Sequence, residues 1–228
     1  MKHTLLAFVS LFPGSLLVAA SPDVPSYPSC DVSSLTPYLP PNQNSLAVPS
    51  GQHVTAISLG VGIQNYTCSE KGNYLSTGAV AELFDISCLF GSKLFDNITS
   101  VAFEVWNATD SYSPDTIINK FNIFSVFGQH YFIKNPFGNS PNITPVFDAR
   151  AASHMGDDNA YTIEAKIGNI TAPTGSQDAD WLQLRNVQGN LAQTVFRLET
   201  KFGQPPKSCE AGSRDISVKY TAKYWFLS

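Results

Sequence analysis

The sequence predicts an all-β protein: an antiparallel β-sandwich or barrel-like fold, with one or two short helices and a Pro-rich N-terminal arm. Three observations carry this reading. Short runs alternate large apolar residues with small or polar ones, Gly, Pro, Asn and Asp cluster between the runs, and helix start signals are few. At 228 residues the chain suits one large domain with a sizeable core.

Residues 1–20 read as a signal peptide. Met1-Lys2-His3 is a short basic start, Leu5 to Ala20 is apolar apart from Ser10, Ser15 and the Pro13-Gly14 break, and Val18-Ala19-Ala20 supplies small residues for cleavage before Ser21. The competing reading, a membrane anchor, needs about 20 unbroken apolar residues. Residues 21–50 form the arm, with Pro22, Pro25, Pro28, Pro37, Pro40, Pro41 and Pro49. Proline fixes φ and donates no backbone hydrogen bond, so the arm should lie extended over the body, pinned at Cys30, without joining a sheet. Asp31–Leu39 offers one short turn.

Residues 51–228 read as a single β domain. Ile57, Leu59, Val61 and Ile63 line one face of a first strand within Val54–Ile63. Further strand-like runs are Gly78–Ile86, Val101–Trp106, His130–Ile133, Val146–Ala149, Tyr161–Ile167, Trp181–Val187 and Thr194–Thr200. The clearest is the last, with Ile216, Val218, Tyr220, Ala222, Tyr224 and Phe226 on one face and Ser217, Lys219, Thr221 and Lys223 on the other. Nine or ten short strands follow. The best helix signal is Ser113-Pro114-Asp115 leading to Lys120, with Ser at a cap and Pro in the first turn.

Charge narrows the partners. With 14 basic and 18 acidic residues, net -4, the chain lacks the basic footprint of a nucleic-acid binder. Charged residues are 14% of the chain, below the roughly 25% of an ordinary soluble domain. The five N-x-T sequons at Asn65, Asn97, Asn107, Asn142 and Asn169 supply the remaining polarity if they carry glycans. No later stretch is apolar enough to span a bilayer, and the C-terminal Tyr224–Ser228 is too short and aromatic for a lipid-anchor signal. The expected protein is a secreted, extracellular or cell-wall-associated monomer with no membrane or nucleic-acid partner.

Cys30, Cys68, Cys88 and Cys209 are an even set in an exported chain, which reads as two disulfides with three possible connectivities. No C-x-x-C occurs and no His lies at zinc-ligand spacing, so no metal is expected. A bridge reaching Cys209 closes a loop worth roughly 4–5 kcal/mol of unfolded-state entropy.

Signals for chemistry are weak. Gly60-Val61-Gly62-Ile63 follows a strand as in a dinucleotide fingerprint, but the third Gly is missing and Tyr66-Thr67-Cys68 opens no helix. The two glycines read better as a bulge or twist in a strand, and no cofactor is expected. Among His53, His130 and His154, a structural or surface role is the commoner fate. Carboxylates that could serve glycoside cleavage are Glu82, Asp85, Asp148, Asp157, Asp158, Glu164, Asp178 and Asp180, although Glu82 and Asp85 face opposite sides of one strand. Asp178 and Asp180 lie in a loop, where surface charge or turn formation is the default. Trp181, Tyr220, Tyr224, Trp225 and Phe226 could stack on sugar rings, with core packing the stronger reading. The first catalytic candidates are His130, Asp148 and Glu82.

Several stretches together resemble a known family. They are Gly62–Cys68, Gly78–Asp85, His130-Tyr131-Phe132, Pro145–Asp148, Asp180–Leu184, Val195–Thr200 with Gly203–Cys209, and Val218–Phe226. The chain is similar, over residues 30–228, to secreted fungal and bacterial proteins that share a domain of unknown function and often carry the label malate dehydrogenase. The resemblance implies a β-rich secreted domain, with residues 91–125 a fungal-type elaboration. It implies pairing of Cys68 with Cys209, which leaves Cys30 for Cys88. It supplies no catalytic residues, and nothing at Gly60–Gly62 supports a nicotinamide-dependent dehydrogenase. The function expected is a non-enzymatic cell-surface, cell-wall or host-interacting protein that meets cell-wall polysaccharide or a host surface component. The alternative is a secreted enzyme acting on polysaccharide or ester substrates. Treating the secreted protein with an N-glycan amidase is expected to lower its mass; an unchanged mass would remove glycans from this account.

Overall fold

A computed structural model of the chain describes residues 30–108, 125–138 and 141–228. The signal-peptide reading and the Ser113–Lys120 helix lie outside the described residues.

Eight antiparallel strands run in sequence order and close into a barrel. They are β1 (Val54–Cys68), β2 (Tyr74–Asp85), β3 (Val126–Lys134), β4 (Ile143–Asp148), β5 (Tyr161–Ile170), β6 (Trp181–Gly189), β7 (Thr194–Phe202) and β8 (Ile216–Leu227). Each strand pairs with its sequence neighbours, and β1 returns to pair with β8 from Val54 opposite Leu227 to Tyr66 opposite Ile216. Closure satisfies both edges that an open sheet would expose. The strands are fewer and longer than their apolar runs indicate, because polar residues at the barrel ends continue the ladders.

Val101–Trp106 is helical instead of extended. It belongs to α1 (Lys93–Asn107), which begins at an N-cap where Phe95 N–H donates to Ser92 Oγ at 3.2 Å. Phe95, Ile98, Ala102 and Trp106 recur at helical spacing and are all buried. The alternation of Val101, Phe103 and Val105 mimics a strand only within that window. Asp31–Leu39 contributes a turn in which Leu35 N–H donates to Val32 O, without a helix.

Two cores lie on either side of the barrel wall. The inner one holds Ala81, Leu83, Phe147, Val195, Tyr220, Tyr224 and Phe226. The outer one packs Ile57, Leu59, Val61, Phe84 and Trp225 beneath α1, with Val32 and Leu46 of the arm. Both faces of β8 are therefore buried. On its outer face Thr221 donates to Thr99 O at 2.7 Å, Lys219 donates to Trp106 O at 3.1 Å, and Lys223 pairs with Glu199 while lying 4.0 Å from the centre of the Phe95 ring. The described part of the arm, from Cys30 on, adds no strand. Instead the Gln183 amide accepts from Ala47 N–H at 2.9 Å and donates to Ala47 O at 2.8 Å, so one side chain stands in for a strand partner. The disulfides join Cys30 to Cys88 and Cys68 to Cys209.

Gly60 and Gly62 mark no bulge, since the β1 register shifts between Asn65 and Tyr66 against β2 and between Val54 and Ala56 against β8. They are sites of close approach. A Cβ on Gly60 would lie 2.4 Å from the Tyr224 ring, and one on Gly62 would lie 2.1 Å from Val80 O. Gly60→Val is expected to destabilise the fold by about 1–3 kcal/mol through overpacking. An unchanged melting temperature would show that Tyr224 can move aside.

Candidate functional site

Alternation along each strand sends neighbours to opposite sides of the wall, and this separates the three catalytic candidates. Ala81 pairs with His130 and His130 with Phe147, all facing the interior. One residue away, Glu82 pairs with Gln129 and Gln129 with Asp148, all facing out. His130 thus lies across the barrel wall from Glu82 and Asp148, and the three form no shared constellation. The reason is the period of two: a His and a carboxylate an odd number of steps apart on paired strands cannot share a face.

His130 is 3% exposed and stacks on Phe147 with ring centres 4.4 Å apart. Its Nδ1–H donates to Val146 O at 2.9 Å, which fixes the neutral tautomer with a lone pair on Nε2. Burial among aromatic rings pulls its pKa down to about 4. Nearby, the Tyr220 and Tyr224 hydroxyls meet at 2.9 Å, and burial raises both phenols. Glu164 is fully buried on β5, where Thr162 Oγ1 donates to its Oε1 at 2.8 Å while Oε2 has no partner. Burial pushes this carboxyl up to about 8, so it is protonated at neutral pH.

The outer wall carries a different arrangement. A cavity of about 290 Å³ is lined by Val61, Ile63, Val80, Glu82, Gln129 and Tyr131, among others. It straddles the place where the β2–β3 ladder ends at Ala81 and His130. Gln129 Nε2 donates to Glu82 Oε2 at 3.4 Å, and Tyr131 O–H donates to Asp148 Oδ2 at 3.0 Å. Arg150 grips Asp148 from Nε at 2.9 Å and Nη2 at 2.7 Å, and lies over the Tyr161 ring at 4.6 Å. The hydrogen bonds from Arg150 hold the Asp148 carboxyl well below the usual carboxylate range.

The other nominated residues serve local structure. Asp85 caps the turn after β2 by accepting from Ser87 N–H at 2.8 Å, and Asp157 accepts from Asn159 N–H at 2.9 Å beside exposed Asp158. Asp178 is fully buried, accepting from Thr174 Oγ1 at 2.5 Å and Phe202 N–H at 2.7 Å, which makes it a turn organiser and not a surface charge. The Asp180 carboxylate receives Gln204 and Asn169. His53 is exposed, and His154 is an exposed neighbour of Ser153. Trp181, Tyr220, Tyr224, Trp225 and Phe226 are all core residues. Among the sequon asparagines, Asn97, Asn107, Asn142 and Asn169 are exposed and Asn65 is half-buried. Among the described residues no three His, Cys, Asp or Glu side chains gather as a metal site. None of their helices is long and apolar enough to cross a membrane.

Sequence reasoning missed Gln129, Tyr131, Arg150 and Tyr161. Only the Asp148-Ala149-Arg150 spacing hinted at an ion pair, because cross-strand register is invisible in a single chain.

With the geometry in view, the comparisons place the protein. A family model described as "Protein of unknown function (DUF3455)" matches residues 49–228, and the chain belongs to that family. No curated protein and no solved structure matches.

His130 and Glu164 oppose each other in pH. Between about 4 and 6.5 the unfolded chain binds the His130 proton that the folded barrel refuses, so stability falls as pH drops through that window. Between 4.5 and about 8 the folded barrel holds a Glu164 proton that the unfolded chain has lost, so stability falls as pH rises, by at most about 1.4 kcal/mol per unit. Glu164→Gln should therefore gain on the wild type from pH 5 to pH 8 in thermal melts. A constant difference between the two curves would show that Glu164 ionises normally.

Proposed function

We propose that this protein is an extracellular, non-enzymatic binding barrel that recognises polysaccharide on a cell wall or host surface. The observation that carries the reading is the split of His130 from Glu82 and Asp148 across the wall, together with a cavity on the outer side of that wall. That cavity is lined by apolar Val61, Ile63 and Val80 and by a carboxylate, an amide and a phenol from Glu82, Gln129 and Tyr131. Such a lining suits a small polar ring; its Tyr131 hydroxyl donates to an Asp148 carboxylate that Arg150 holds ionised and weakly basic. Two disulfides and the sequon-bearing surface suit an oxidising compartment, which supports secretion as a monomeric glycoprotein.

A second reading, a secreted enzyme, draws on one observation: inside the barrel His130 is held neutral while Glu164 is held protonated. A catalytic centre would then lie within the barrel and not at Glu82 or Asp148.

Sedimentation of the purified protein with insoluble chitin, β-glucan and mannan separates the two. Retention on at least one polymer with no release of soluble sugar is expected. Failure to sediment with any of them, accompanied by turnover of a glycan or ester that Glu164→Gln abolishes, would replace binding with catalysis.

A further inference from the structure

One end of the barrel carries the β1–β2, β3–β4, β5–β6 and β7–β8 connections, and there the wall loses part of its backbone pairing. The β2–β3 ladder stops at Ala81 and His130, and the β4–β5 ladder stops at Val146 and Ile163. Beyond those points the β3–β4 hairpin pairs only with itself, from Phe132 opposite Pro145 to Lys134 opposite Ile143. Phe132 stands against the unpaired part of β2, since a Cβ on Gly78 would lie 3.1 Å from it. Phe132, Leu182 and Arg197 are half-buried, so solvent reaches the interior at this end.

Arg197 lies on the inner side of β7, two residues from Val195 of the inner core, opposite Tyr224 on β8 and Leu182 on β6. Its Nε and Nη2 donate to a single carbonyl, that of Asp180, at 3.1 and 2.9 Å. The Asp180 carboxylate, whose charge also reaches Tyr66, is engaged by Gln204 Nε2 at 3.2 Å and Asn169 Nδ2 at 3.3 Å. Among the described residues the ion pairs are Arg150–Asp148 and Lys223–Glu199, so Arg197 has no carboxylate at ion-pair distance there. Its charge is felt by Tyr66 of β1, His130 of β3, and Tyr220 and Tyr224 of β8.

The groups around it are donors. The Tyr220 and Tyr224 hydroxyls meet at 2.9 Å, and whichever donates, one proton of the pair is left for a third group. Gln64 is 6% exposed and lies opposite Ala79 of the inner core, yet its Nε2 has no partner. Gly203 brings these groups together: a Cβ on it would lie 2.9 Å from Tyr220 and 3.5 Å from Gln64, and its carbonyl accepts from the Tyr66 hydroxyl at 2.7 Å. A buried N–H without an acceptor is costly, and the chain supplies none to Gln64 Nε2.

We propose that this end of the barrel interior binds a small organic carboxylate, held by the Arg197 guanidinium, Gln64 Nε2 and the Tyr220–Tyr224 hydroxyl pair, with its apolar body against Phe132 and Leu182. A planar guanidinium fork matches the two oxygens of a carboxylate. One cation among neutral donors balances a single negative charge, whereas the second charge of a phosphate would be left unpaired among aromatic rings. The mouth of a barrel suits such a ligand because several strands converge their side chains on it. The site is separate from the outer cavity and stands whether or not that cavity takes a sugar.

The test is calorimetric titration of the secreted full chain with acetate, hexanoate and benzoate at millimolar concentration. Benzamide and inorganic phosphate serve as the neutral and the inorganic counterparts. At least one carboxylate should bind, and benzamide and phosphate should not. Gln64→Met, Arg197→Gln and an exposed control, Arg185→Gln, are titrated alongside, with melting curves to confirm folding. For the tightest carboxylate, Gln64→Met should lower affinity about fivefold and Arg197→Gln about tenfold or more, while Arg185→Gln should leave it unchanged. Gln64→Met removes no hydrogen bond from Nε2, so it decides the matter even if Arg197→Gln does not fold. No heat from any of the three carboxylates, equal binding of benzamide or phosphate, or wild-type affinity in Gln64→Met would overturn the proposal.

Discussion

The β1–β8 ladder is the contact on which the remaining architecture depends. It joins the two ends of the domain in sequence, and it turns a meander of eight strands into a closed wall. Once closed, the wall has an inside and an outside, and each strand must satisfy both. β8 shows the consequence most plainly. Tyr220, Ala222, Tyr224 and Phe226 fill the interior, while Lys219, Thr221 and Lys223 fasten α1 to the exterior. The close approach of Gly60 to Tyr224 belongs to the same ladder: a large ring fits inside only where the opposing strand has no side chain.

Closure also sorts polarity. Inside the barrel His130 and Glu164 are kept uncharged, beside Arg197 on β7, which lies opposite Tyr224. His130 is neutral because burial among aromatic rings disfavours its cation, with the Val146 carbonyl selecting the tautomer, and Glu164 is protonated because burial disfavours its anion. Outside, Arg150 offsets Asp148 in partial contact with water.

Part of the outer wall is covered by the chain itself. The helix α1 covers β8, β7 and β1, and the arm packs against the same outer core, with Gln183 holding Ala47 and the Cys30–Cys88 bridge holding its start. The second bridge, Cys68–Cys209, ties the end of β1 to the segment before β8. A low share of charged residues is compatible with this arrangement, because much of the exterior that would meet water in a bare barrel is covered by protein.

Much of the fold was legible in the chain. Alternation in Ile57–Ile63 and Tyr220–Phe226 identified strands and their faces, because a period of two is a local property of the backbone. The helix α1 was misread: the strand-like Val101, Phe103 and Val105 masked the helical period that Phe95, Ile98, Ala102 and Trp106 carry. The disulfide pairing came through resemblance to a family, since four cysteines alone allow three pairings. The site was not legible. Glu82, Gln129, Asp148 and Tyr161 are 47, 19 and 13 positions apart in turn, and only the register of four strands makes them neighbours. Register likewise put His130 on the far side of the wall from the carboxylates it was grouped with. Residue types and their local periods determine which segments become strands and helices. Which side chains meet across those strands is decided by long-range hydrogen bonding, and that is settled only when the barrel closes.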